Sequence, residues 1–292
     1  MYHFIVNPTA GKGRSLSIAK ELRKVLDTRR VDYDMVMTKE AGHGVELARQ
    51  AVSEGAQVVV SVGGDGTMNE VLQGVAGSEA ALALIPTGTG NDLARTYSIS
   101  LDWQQALEQL LSAESYPMDL GQDRDGYFAI LVGVGFPADV MYHVNTMPTI
   151  FRGSMAIAAG IVKTLSLLKP REMQITVDDQ QWCCPVAGAF VLNTPFTGGG
   201  LRITPEAQPD DGWLDICLMT DMSRFELMRL LPKVYHGGHV GHPKVHMVRG
   251  KHVRVEVEGR LPKVFDGNVS GCAPIDAQIL PGALRIMLPK RG

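Results

Sequence analysis

The sequence predicts an α/β protein of two domains. A mostly parallel sheet covered by helices is expected over residues 1–118, and a largely antiparallel, strand-rich part over residues 119–292. Three observations carry this. Up to about residue 115, short apolar runs alternate with stretches of helical apolar spacing. Beyond Tyr116, strand-like runs dominate. The 292 residues suffice for two domains with sizeable cores.

Taken in order, residues 3–7 form an apolar run closed by Pro8. Ser15 offers an N-cap, and Ile18, Leu22, Val25 and Leu26 recur at helical spacing. Residues 34–37 read as the next strand, and Val45, Ala48, Ala51 and Val52 as a second helical stripe. Residues 57–62 suit a strand buried on both faces. A helix over 68–75, a strand over 81–85 and a helix over 102–111 follow. Repeated βα units of this kind build a parallel sheet. The domain boundary is expected near 117–121. Strands are then expected at 127–134, 173–177, 186–193, 213–219, 253–257, 263–266 and 283–288, with helices at 154–168 and 224–231. The last strand is free to return to the first domain.

Composition is ordinary for a globular protein, with 45% apolar and 20% charged residues. A formal net charge of −3 gives no reason to expect nucleic acid as a partner. The N-terminus reaches Asn7-Pro8 too soon for a signal peptide. The longest apolar stretch, 156–168, is interrupted by Lys163, is too short to span a bilayer and reads as a buried helix. Cys183, Cys184, Cys217 and Cys272 lack C-x-x-C spacing, so reduced thiols in a cytoplasmic protein are expected.

Two loops follow predicted strands, where open α/β sheets place their ligands. Gly63-Gly64-Asp65-Gly66-Thr67 lets backbone N–H groups approach an anion closely, and Thr67 is a candidate cap for the next helix. Asp65 sets a carboxylate among groups that attract anions, which suits a metal ion or a substrate hydroxyl. Pro86-Thr87-Gly88-Thr89-Gly90-Asn91-Asp92 supplies hydroxyls, flexible backbone and another carboxylate. Asn7-Pro8-Thr9-Ala10-Gly11-Lys12-Gly13 is a third candidate but not a Walker A loop, and no stretch fits a dinucleotide fingerprint.

Together these three loops resemble the diacylglycerol kinase catalytic-domain family, which includes bacterial soluble diacylglycerol kinases, sphingosine kinases and ceramide kinases. The likeness covers almost the whole chain. Asn193-Thr194-Pro195, Gly198-Gly199-Gly200, Asp210-Asp211-Gly212, His242-Pro243-Lys244-Val245 and Asp266-Gly267 are similar to family patterns in the expected order. The resemblance implies a peripheral, cytoplasmic lipid kinase that moves the γ-phosphate of ATP onto a lipid hydroxyl with Mg2+. Diacylglycerol is the first substrate expected and a sphingoid base the alternative; a homodimer is admissible. NAD kinase shares the Gly-Gly-Asp-Gly-Thr run but not the Pro86–Asp92 loop.

The resemblance also implies site residues. The nucleotide, in a cleft between domains, would meet Asn7, Pro8, Thr9, Ala10, Gly11, Thr38, Gly64, Asp65, Gly66, Thr67, Asn69, Glu70 and Thr89, with Asn91 and Asp92 in the same loop set. Asp65 would organise magnesium through water. Asp211, with the backbone carbonyls of Gln208 and Trp213, resembles a structural magnesium site; the residues alone read as an ordinary turn. One departure stands out. Where the family has Asp-Gly-Glu, this chain has Asp266-Gly267-Asn268. Asn268 cannot take a proton, so Asp266 does that work, the reaction needs little base help, or activity is weak or lost, leaving a nucleotide- or lipid-binding regulator. His236, His239, His242 and His246 invite a metal but fit a loop equally well. Met141, Met147 and Met155, with Ile150 and Phe151, fit an acyl groove or core packing alike.

Overall fold

The structure is a computed structural model, describing residues 1–146 and 154–290. The chain divides into two compact units: Met1–Asp119 together with the segment from Pro281 onward, and Leu120–Leu280.

The first unit runs β1 (Tyr2–Val6), α1 (Arg14–Thr28), β2 (Tyr33–Met37), α2 (His43–Ser53), β3 (Val58–Gly63), α3 (Asp65–Val75), β4 (Ala81–Pro86), α4 (Asp92–Thr96), α5 (Trp103–Leu111) and the start of β5 (Glu114–Asp123). β1 lies between β2 and β3, and β4 lies beside β3, all parallel. Arg285 and Ile286 of the last strand add a further parallel neighbour to β4. β3 and β4 are buried almost throughout, which is why they read as continuous apolar runs. α1 turns Ile18, Ala19, Leu22 and Leu26 inward. Parallel strands all end on one edge, so the loops after β1, β2, β3 and β4 gather there.

The second unit is antiparallel. It contains β6 (Gly126–Phe128), β7 (Leu131–Gly135), α6 (Phe136–Thr146), α7 (Ser154–Leu167), β8 (Arg171–Val177), β9 (Gln180–Leu192), β10 (Phe196–Thr197), β11 (Leu201–Arg202), β12 (Leu214–Thr220), α8 (Arg224–Val234), β13 (Val245–Gly250), β14 (His252–Val257), β15 (Pro262–Phe265), β16 (Asn268–Cys272) and the start of β17 (Ile275–Leu288). Strand order is β16-β15-β7-β9-β8-β14-β17, with β12 and β13 continuing from β9. The thirteen-residue β9 is the spine: its first half pairs β8, and its second half pairs β7 and β12. Phe128, Val132, Ile175, Val191, Ile216 and Val253 belong to its core.

The fold class is the one read from the sequence. Its details differ at several points. Ser15 is not a cap: Gly13 occupies that position at φ 84°, and Ser15 is buried in the first turn. α3 begins at Asp65, so Thr67 lies inside its first turn instead of capping it. Residues 117–121, where the domain boundary was expected, lie within β5. The strand expected over 127–134 is broken after Phe128, because the N–H groups of Ala129, Ile130 and Leu131 turn to the Asp266 carboxylate, each at 2.9 Å. The stretch 156–168 is helical as far as Leu167 and only partly buried: Thr164 is inside, while Val162 and Leu167 are exposed.

Candidate active site

The loops of the first unit interlock. After β1, Asn7 Oδ1 accepts from the Thr9 N–H and hydroxyl at 3.1 and 2.8 Å. Its Nδ2 donates to Thr67 Oγ1 at 3.0 Å. Gly11, Lys12 and Gly13 are successively left-handed, at φ 58°, 62° and 84°. Such a backbone turns N–H groups toward a shared concavity. Lys12 and Arg14 are exposed beside it. Ser15 Oγ, seventy-two residues from its partner, lies 2.5 Å from Thr87 Oγ1. The loops after β3 and β4 touch at Gly64 and Gly88: a Cβ on Gly88 would come within 2.5 Å of Gly64 Cα. Only glycines permit that approach.

Asp65 holds the second loop to the first. Its Oδ2 accepts from the Asn91 N–H at 2.7 Å and its Oδ1 from the Asp92 N–H at 2.8 Å. It thus serves the first turn of α4. Burial pushes its pKa up, against the opposing pull of those N–H groups and of Arg95. The residue as a whole is half-buried, and its own N–H also bonds the carboxylate. Asn91, at φ 54°, folds back on its own loop through Gly88 N and O. Glu70 accepts from the Gly42 and Gly44 N–H groups at 2.9 and 3.0 Å, fixing the start of α2. Thr38 is buried, its N–H on Val6 O. Thr9 and Thr89 are exposed, and Pro8, Ala10, Gly64, Gly66 and Asn69 half-exposed, at this edge. Sequence reading placed Lys12 in a candidate loop but missed Ser15, Arg14 and Arg95 as members of the cluster; the basic residue after Gly13 was the available signal.

The second unit carries an apolar pocket with about 730 Å³ of empty space. Leu131, Phe136, Val140, Met141, Phe190 and Leu231 are among its walls, and Val264 and Gly267 reach it from the β15–β16 hairpin. That hairpin turns through Asp266 and Gly267, at φ 42° and 82°, with Phe265 facing Asn268. Two consecutive left-handed residues make the tight hairpin turn that Asp-Gly favours. Asp266 is buried and its carboxylate is engaged by three backbone N–H groups. Asn268 is exposed. Met155 is exposed and does not line the pocket. Met147, Ile150 and Phe151 lie outside the described residues.

Asp211 lies in the turn before β12. Its Oδ1 accepts from the Trp213 N–H at 3.1 Å, and its Oδ2 pairs with Arg249. Arg249 Nε also lies 3.3 Å from Asp215 Oδ1, while the buried Asp215 Oδ2 has no partner. Burial pushes the Asp215 pKa up to about 6; Arg249 opposes this, and Asp211 and Glu206 add to it. Two carboxylates here share one guanidinium, and the charge of Glu206 acts on Asp215 as well. Among the described residues no three His, Cys, Asp or Glu side chains converge on a metal position. Both Asp211 oxygens are engaged by protein groups, and Gln208 and Trp213, expected beside it as ligands, lie in the same stretch before β12. The four histidines are spread over separate jobs: His239 Nε2 bonds Ile203 O, His242 Nδ1 accepts from the Lys244 N–H, His246 bonds Thr220, and His236 is exposed.

The chain joins glycine loops at the carboxyl edge of a parallel sheet to a separate antiparallel unit, the two parts that two family models match. Residues 1–122 match the diacylglycerol kinase catalytic domain, and residues 130–288 match the YegS C-terminal NAD kinase beta sandwich-like domain. A diacylglycerol kinase of Mycobacterium tuberculosis H37Rv is 31% identical, over 99% of this chain and 95% of its own length. One from Bacillus subtilis 168 is 25% identical over 98% and 95%. A solved chain from Bacillus anthracis Sterne has the same fold, with a TM-score of 0.85 at 23% identity over 98% of this chain and 94% of that one. The chain belongs to the diacylglycerol kinase family and is a lipid kinase.

Proposed function

We propose that this enzyme transfers the γ-phosphate of ATP to the hydroxyl of diacylglycerol, forming phosphatidic acid, at a membrane surface. The observation that carries the substrate assignment is the apolar pocket whose wall includes Gly267 of the Asp266–Asn268 turn. A pocket so poor in polar groups suits acyl chains and offers little to a nucleoside or sugar. The turn at its wall would present the lipid's polar end.

In this reading the loops after β1, β3 and β4 hold the phosphates. The N-terminus of α3 and the backbone of Gly64 and Gly66 favour anions there. Lys12 and Arg14 add positive charge, and Thr9 and Thr89 add hydroxyls. Asp65 would hold the metal through water when it is bound, supplying negative charge beside the reacting phosphate. Magnesium, when bound, neutralises charge on the phosphate oxygens. The lipid oxygen attacks the γ-phosphorus, the bond from that phosphorus to the β-bridging oxygen breaks, and ADP leaves. Asn268 orients the hydroxyl, and the proton passes to an oxygen of the transferred phosphoryl group and from there to water. Phosphoryl transfer depends mainly on positioning and charge, so a strong base is not required.

The test is ATP-dependent turnover on diacylglycerol, monoacylglycerol, sphingosine, ceramide and NAD. The highest kcat/KM is expected for diacylglycerol. A preference for sphingosine would reassign the substrate, and silence on every lipid would end the proposal.

Asp211 serves stability in this reading. Magnesium that binds only the folded form stabilises it by about 2.7 kcal/mol at a hundred times its Kd. Wild-type Tm should therefore rise by several degrees with saturating magnesium and no nucleotide. Asp211→Ala should erase that rise. Equal melting of wild type with magnesium and with chelator would leave the turn to Arg249 alone.

A further inference from the structure

Among the described residues, one lysine is buried and no arginine is. That lysine is Lys263 of β15, 1% exposed. Its ammonium pairs with the carboxylate of Asp123, a fully buried side chain, and lies 2.7 Å from Asp125 Oδ2. Asp123 Oδ1 also accepts from the Asp276 N–H at 2.8 Å. The two aspartates stand on the β5–β6 hairpin, Lys263 on β15 and Asp276 on β17. One cluster thus ties three parts of the second unit.

The cluster sits at the base of the β15–β16 hairpin, whose tip is the Asp266-Gly267-Asn268 turn. From the pair Pro262 and Cys272 to the pair Val264 and Val269, β15 advances two residues and β16 three. The extra residue makes a bulge beside Lys263, and Gly271 there is left-handed at φ 66°. A Cβ on Gly271 would come within 2.5 Å of Asp125 Oδ2, so the bulge lays β16 against the same carboxylate.

A buried ion cluster of this kind adds little net stability, because apolar side chains of similar size would serve as well. What it adds is register. Neighbouring residues of a strand face opposite sides. Val264 faces the apolar pocket, and Lys263 faces the carboxylates. A slip of β15 by one residue would drive the ammonium into the pocket and leave Asp123 buried without its cation. An apolar residue at position 263 would not forbid that slip. Asp266 fixes the tip of the hairpin to residues 129–131, and Lys263 fixes its base.

We propose that Lys263, with Asp123 and Asp125, locks the register of the β15–β16 hairpin and so positions Asn268 for the lipid hydroxyl. Lys263 is then a positioning residue, which acts through Asn268 and touches neither lipid nor nucleotide. This deepens the lipid-kinase reading above and rests on it.

The test compares wild type, K263M/D123N and D125A, each with and without Asn268→Ala. K263M/D123N removes both buried charges and keeps an acceptor for the Asp276 N–H, so it should melt close to wild type. Its kcat on diacylglycerol should fall about 10²-fold, as when a reacting group is displaced by an ångström, with KM for ATP unchanged. Adding Asn268→Ala should slow it no further, although the same change slows wild type, because Asn268 is already out of place. Amide exchange should quicken across residues 262–272 and keep wild-type rates in the first unit. D125A removes only the exposed partner and should show the same pattern with a smaller loss of kcat, so the outcome does not hang on the doubly substituted chain folding. Wild-type kcat and exchange in these variants would overturn the proposal. So would losses that multiply with that of Asn268→Ala, or an active wild type that Asn268→Ala does not slow. A protein inactive on every lipid, with exchange still quickened across residues 262–272, would instead sink the catalytic reading and leave the register lock standing.

Discussion

Asp65→Asn is expected to lower kcat for lipid phosphorylation by about 10²–10³-fold, the usual cost of losing a charged group aimed at a transition state. The substitution keeps the size of the side chain. It removes the negative charge and turns one acceptor into a donor facing the Asn91 or Asp92 N–H. It should therefore also weaken the start of α4, by about 1–2 kcal/mol on the scale of a lost helix cap. That stability cost is larger than a loop carboxylate suggests from sequence, because α4 hangs on both oxygens. Two measurements separate the roles: turnover under saturating ATP and magnesium, and the denaturant midpoint. A variant with a lowered midpoint and nearly full turnover would make Asp65 a cap and nothing more.

The Asp266→Ala variant is expected to lose about 3–6 kcal/mol of stability, since three buried N–H groups lose their acceptor. The damage would fall on the joint between β6 and β7, which those N–H groups form. Three N–H groups already hold this carboxylate in the joint, which gives it a structural role. Asn268→Glu makes the opposite contrast. Asn268 is exposed at the first position of β16, so a glutamate there should fold normally. It should raise turnover by about tenfold or more, since a general base commonly contributes 10²–10⁴-fold. Urea midpoints and lipid turnover for both variants decide the matter. A stable, inactive Asp266→Ala protein would return Asp266 to the role of base.

Much of this was legible in the sequence, for physical reasons. Strands buried on both faces write continuous apolar runs, so β3 and β4 could be read directly. Glycine-rich loops after such strands are local features, and so were the phosphate loops. What was hidden depends on distant partners. The break between β6 and β7 is made by a carboxylate 137 residues away. Glu70 looked like a nucleotide contact, yet its oxygens hold the start of α2. α4 has only five residues, too few to show a helical period. α6 follows β7 directly, with Phe136 in place of a polar cap, so nothing marked its start. β16 has a local signal in the sequence, since Asp-Gly next to apolar residues favours a hairpin turn. The apolar character of 156–168 was clear, but composition alone cannot tell a buried helix from one that keeps an apolar face in the open.

The contact of Gly64 with Gly88 has a kinetic consequence. Two loops that touch through bare backbone, and are tied again by Asp65 and by Ser15 with Thr87, cannot open independently. The ordering entropy of the phosphate cradle is then settled when the protein folds, not when nucleotide arrives. ATP should associate in a single phase whose rate grows linearly with concentration, without the plateau that a slow loop closure imposes. The same rigidity makes the cradle unforgiving. A side chain at position 88 must part the two loops to fit, so the damage of one added methyl would spread to every phosphate contact at once.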